Sequence, residues 1–171
     1  HHDIQEYLVN YNSSSKEVLN YLYSIQALSM HLLYNNYNAE KTRKLLLDAK
    51  NTIEFYVNHR SNTKINFDEC SPEEIYAEIS VIEEFPEIYT KILYLLGRTY
   101  TYFEEVRVGE SQIDKIECEE YERYYEIAAH IGKKTRIFEG YLSERNLVEM
   151  VSLFKINRKI NDPENHDLEE L

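Results

Sequence analysis

Across residues 86–106 the mostly apolar residues fall into two adjacent helical stripes, Ile88, Ile92, Leu95, Thr99, Tyr102 and Val106 in one, Tyr89, Leu93, Leu96, Tyr100 and Phe103 in the other. Successive members are three or four residues apart, the spacing that brings side chains onto one face of an α-helix. Two such stripes cover more than half the circumference, and a helix apolar over so wide an arc needs neighbours around it to escape water. This segment therefore belongs at the centre of a helical domain. Gly97 interrupts it at a cost of about 1 kcal/mol relative to alanine, which points to another helix approaching closely there.

The rest of the chain supplies the neighbours. Four glycines and three prolines in 171 residues are too few for the many tight turns of a sandwich or barrel. Ser15 is a cap candidate for a helix to about Asn36, with Val18, Tyr21, Leu22, Ile25, Leu28 and Leu32 at helical spacing. Asn38 is a second N-cap, and Leu46, Ala49, Ile53 and Tyr56 carry its helix to about Arg60; the short link makes the two an antiparallel hairpin. Residues 61–70 have no period and read as a loop. Ser71-Pro72-Glu73-Glu74 then combines a hydroxyl cap, proline at N1 and Glu at N3, opening a helix that should run until Pro86 disfavours helical geometry at Phe85. Gly109 is the expected end of the central helix, Ser111 the cap of the next, and Gly132 its terminator. A further helical period starts near Lys134 or Thr135 and continues through Leu147, Met150, Val151 and Phe154 to about Asn157. Ile4, Tyr7, Leu8 and Tyr11 also have helical spacing. The expected fold is all-α, about six to seven helices in one domain over residues 1–160, followed by an acidic disordered tail at 161–171.

Charge is unevenly distributed along this sequence. Residues 68–126 hold 17 acidic and 5 basic groups, residues 133–160 hold 7 basic and 3 acidic, and the whole chain is at −12. Acid concentrated on the central helices argues against binding nucleic acid, whose phosphates require a basic stripe, and against anionic membranes. With no apolar run of membrane-spanning length and no signal-like start, the sequence reads as that of a soluble cytoplasmic protein, and His1-His2 as the remnant of an affinity tag. Cys70 and Cys118 are far apart and lack metal-ligand spacing, so two reduced thiols are expected.

Chemistry-bearing motifs are sparse. HExxH, GxSxG, Walker-type and GxGxxG patterns are absent, and His31 and His59 are isolated helical histidines. Glu119, Glu122, Glu126 and His130 recur at helical spacing and form the one arrangement that could serve a metal-dependent enzyme. The ExxH pattern of di-iron bundles, however, does not occur. No cofactor or metal site is expected, and a solvated helix face is the better reading of that line.

Around Leu96-Gly97-Arg98-Thr99-Tyr100 the chain resembles the first helix of a tetratricopeptide repeat, where a Leu-Gly pair and a tyrosine three residues on let paired helices pack closely. Tyr125 and Ala128 are similar to the aromatic and small residues of that repeat's second helix. The resemblance covers roughly residues 86–132. It departs from the family in about a dozen extra residues between the halves and in Tyr121, where a small residue is usual. It implies antiparallel hairpins stacked as an array with a concave partner-binding surface and no catalytic residue; without it the same helices form an irregular bundle. The expected function is accordingly a non-enzymatic interaction module whose acidic face meets a basic protein partner. Tyr100, Glu119, Glu122, Tyr124 and Tyr125 are the expected partner-binding residues. Alternatives are the metal-dependent enzyme and a helical subunit of an obligate assembly.

Overall fold

The computed structural model describes residues 14–35, 38–61, 64–106 and 115–135, with side chains described outside 101–106 and 115–120. Every regular element among them is a helix: α1 (Ser15–Tyr34), α2 (Ala39–Arg60), α3 (Pro72–Ile79), α4 (Phe85–Val106) and α5 (Lys115–Thr135). The fold class is all-α. The expected N-terminal and 137–157 helical segments, the tail, Gly109 and Ser111 lie outside the described residues. No helix among the described residues is long and apolar enough to cross a membrane.

The helix starts follow from side chains that satisfy orphan amides. At α1 the cap is Ser14 and not Ser15: Ser14 Oγ accepts from Glu17 N at 3.3 Å while Ser14 N donates to Glu17 Oε2 at 2.8 Å. The reason for the one-residue shift is reciprocity. A carboxylate stands three residues after Ser14, whereas Val18 stands three after Ser15 and is fully buried. Asn38 caps α2 as expected, accepting from Lys41 N at 3.1 Å, and its own N–H donates to Leu32 O at 3.0 Å, closing the α1–α2 hairpin.

Two boundaries differ from the sequence reading. Helix α3 has the expected Ser71/Glu74 capping box, with Ser71 N donating to Glu74 Oε2 at 2.7 Å, but it ends at Ile79 and not near Phe85. There the Ser80 hydroxyl donates to Tyr76 O. Two successive turns follow, Ile82 N to Ile79 O and Phe85 N to Ile82 O. Pro86 then sits within the first turn of α4, where its missing N–H has no intrahelical partner to lose. At the other end, Gly132 does not stop α5, and Lys134 and Thr135 form its last turn instead of a new helix. Tertiary contacts carry the extra turn: Lys134 Nζ lies 3.1 Å from Glu73 Oε1 and 5.0 Å from the Tyr76 ring centroid.

Helix α4 is central and touches each of the other four. Both of its stripes are buried as far as the described side chains extend, from Ile88, Ile92, Leu95 and Thr99 to Tyr89, Leu93, Leu96 and Tyr100. Burying each large apolar side chain is worth about 1.5–3 kcal/mol, which offsets the ordering of a helix this long. At Gly97 the expected close approach is present. A Cβ built there would stand 2.5 Å from Tyr125 Cζ and 2.6 Å from Cε1, so the α5 tyrosine lies directly on the α4 backbone.

Candidate interaction site

The α4–α5 seam is an aromatic ladder. Tyr125 is fully buried over Gly97, its ring edge-on to Tyr94 at 6.0 Å and to Tyr121 at 6.4 Å, and Tyr121 lies 5.9 Å from Tyr100. From α2, Arg43 closes the Tyr100 end. Its guanidinium carbon stands 3.6 Å from that ring's centroid, while Nε donates to Thr99 Oγ1 at 3.2 Å and Nη2 to Thr99 O at 3.1 Å. Tyr100 is 8% exposed and Glu122 9%. Of the five expected partner-binding residues, Tyr100, Glu122 and Tyr125 are thus covered by neighbouring helices. Tyr124 is half-buried at the core's edge, and Glu119 lies on α5 among the residues whose side chains are not described. Beside Tyr124 on α5, Glu126 is exposed.

The densest buried polar chemistry lies elsewhere, where α2 and α4 meet the loop that precedes α3. Lys50 Nζ is 2.6 Å from Glu54 Oε1, the Tyr89 hydroxyl donates to that same oxygen at 2.8 Å, and Asp68 Oδ1 is 3.9 Å from Lys50. Burial, then the Glu54 carboxylate, push the Tyr89 phenol well above its ordinary range. Arg123 of α5 donates through Nη2 to both Phe67 O and Cys70 O at 2.8 Å, and Asn58 of α2 pairs with both backbone groups of Ile65 at 2.9 and 3.1 Å. Lys50, Asn58 and Arg123 thus tie the loop to α2 and α5, while Tyr89 ties Glu54 of α2 to α4. The sequence carried one readable sign of it: Lys50 and Glu54 stand four apart beside the buried stripe of Ala49 and Ile53.

Among the described residues of the middle of the chain most carboxylates are exposed, Glu78 being half-buried and Glu122 buried. Glu73, Glu74, Glu83, Glu84, Glu87 and Glu126 are exposed, while the basic residues Lys91, Arg98 and Arg123 of the same stretch are half-buried. Lys134 holds the Glu73 carboxyl below its usual range, and the Ser71 amide and hydroxyl do so for Glu74. A shallow groove of 410 Å³ runs between the first turns of α1, at Ser15, Lys16, Leu19, Asn20 and Tyr23, and the α3–α4 turn at Ile82, Glu83 and Glu84. In it the Tyr23 hydroxyl donates to Glu84 Oε2 at 3.2 Å. Burial, with Glu84 and Glu87 adding negative charge, pushes the phenol up to about 12.

Glu122, Glu126 and His130 do not converge: the first is buried, the second exposed and the third half-buried. Among the described residues no group of three or more His, Cys, Asp or Glu side chains could hold a metal ion. Compared with known protein families, characterised proteins and solved structures, the chain matches none.

Proposed function

We propose that this chain is a non-enzymatic helical interaction module whose acidic surface holds a protein partner through that partner's basic face. One observation carries the reading: among the described residues of the stretch of greatest acidic excess, Glu73, Glu74, Glu83, Glu84, Glu87 and Glu126 are exposed, while Lys91, Arg98 and Arg123 are half-buried. Such an acidic surface steers basic partners and suppresses acidic ones. For the architecture we read α4 and α5 as a tetratricopeptide-like pair beside the α1–α2 hairpin. That reading is supported by the Tyr125 ring on Gly97 and by the Tyr100–Tyr121 contact along the same seam. Glu119 and Tyr124, with Glu126, are the proposed contacts on α5.

The test is capture of partners at low and at moderate salt by the native chain and by a Glu119→Lys/Glu126→Lys variant. Binding should fall with both salt and charge reversal, because exposed charges are screened beyond about 10 Å at 0.1 M ionic strength. Capture indifferent to both would sink the electrostatic reading.

A further inference from the structure

Resting on that reading, we infer that the groove between α1 and the α3–α4 turn takes a short basic amphipathic peptide segment of the partner, its apolar side chains against Leu19, Tyr23 and Ile82 and its Lys or Arg side chains against Glu83, Glu84 and Glu87. The shape supports a peptide. On one wall, residues 15–23 present two turns of α1, about 12 Å at 1.5 Å per residue, long enough for apolar anchors one helical turn apart. The other wall is the α3–α4 turn, in which Val81, next to Ile82 in sequence, is 66% exposed. The groove is open along one side, so a segment can lay two side chains into it while its backbone stays outside.

Charge selects the occupant. Lys16 is the single basic residue lining the groove, against Glu83 and Glu84. Glu87 lies close enough to add to the negative field at Tyr23, although Lys91, 2.9 Å away, offsets part of its charge. Tyr23 already donates to Glu84, which fixes that carboxylate at the groove wall instead of leaving it to swing into solvent. An acidic peptide would meet repulsion on the same wall, so sign discrimination is built in.

The experiment is an amide-resolved NMR titration of the full chain with a synthetic helical peptide bearing leucines on one face and lysines elsewhere, and with its Lys→Glu counterpart. Shifts centred on Leu19, Tyr23, Ile82 and Glu83 with the basic peptide alone are expected. Asn20→Trp, which fills the groove from an exposed position, and Glu83→Lys/Glu84→Lys should each weaken binding about tenfold. Shifts centred on α5 around Tyr124 and Glu126 would overturn this inference and leave the interaction-module reading standing. So would binding undiminished by Asn20→Trp, or equal binding of both peptides. If the groove amides respond instead when Lys155, Arg158 and Lys159 are neutralised, the groove belongs to the chain's own basic segment and the partner assignment falls.

Discussion

At Gly97 a hydrogen atom faces the ring of Tyr125, and two effects of opposite sign compete for any replacement. Alanine would favour the helix by about 1 kcal/mol through propensity. Overpacking costs typically about 1–3 kcal/mol, and here the obstacle is a rigid ring with no exposure, wedged between Tyr94 and Tyr121. The ring cannot rotate out to water, so the cost dominates: Gly97→Ala should destabilise by up to about 2 kcal/mol net in urea denaturation. A stabilised variant would show that α5 does not cross α4 this closely. The same contact explains why tyrosines are hard to assign from sequence. Periodicity places Tyr100, Tyr124 and Tyr125 on helix faces but does not say which face a neighbour covers. Tyr125 is core because glycine leaves it room, and Tyr100 because Arg43, 57 positions away in sequence, lies across it.

Among the elements, what could be read in advance was local. Asn38 and Ser71 act through hydrogen bonds spanning three residues and Pro72 through its fixed φ, so their helices start where expected, and the two buried stripes of α4 follow from spacing alone. The misplaced boundaries depend on longer-range facts. Gly132 reads as a stop until Lys134 is seen to reach Glu73 and Tyr76, and α3 ends at Ile79 in two successive turns that residue spacing does not announce. Residues 64–70 were readable as a loop but not as a fixed one, because their anchors, Asn58 and Arg123, come from different helices. Arg123 makes two hydrogen bonds there, and bonds to a charged group contribute about 1.5–3 kcal/mol each. Arg123→Met keeps most of the aliphatic stem and removes both. Amide exchange at residues 64–70 should accelerate well beyond that of α1, with global stability falling by about 3 kcal/mol, the lower end of two such bonds because Arg123 is only half-buried. Uniform acceleration across all helices would mean that Arg123 supports the whole fold and not the loop.

Taken as a whole, the described part of the molecule holds most of its carboxylates outside and several phenols inside, and this combination sets its response to alkali. Tyr23 ionises at about 12 and Tyr89 well above the ordinary tyrosine value near 10. In both cases burial is the largest cause and a carboxylate neighbour adds to it, Glu84 for Tyr23 and Glu54 for Tyr89. Between pH 10 and the raised values, the unfolded chain has released these protons while the folded chain still holds them. Stability must therefore fall as pH rises through that window, and the contribution of these groups is fully present below about pH 10. Each ionisation also adds a negative charge to a chain already at −12. The urea midpoint should thus be flat up to about pH 9 and drop steeply by about pH 11, with phenolate absorbance rising in step with unfolding. Replacing both phenols, Tyr23→Phe/Tyr89→Phe, should flatten that drop while leaving the Lys50–Glu54 pair in place. A variant whose midpoint declines as steeply as the native chain's would assign the alkaline sensitivity to other groups and remove these two carboxylate-facing phenols from the account of stability.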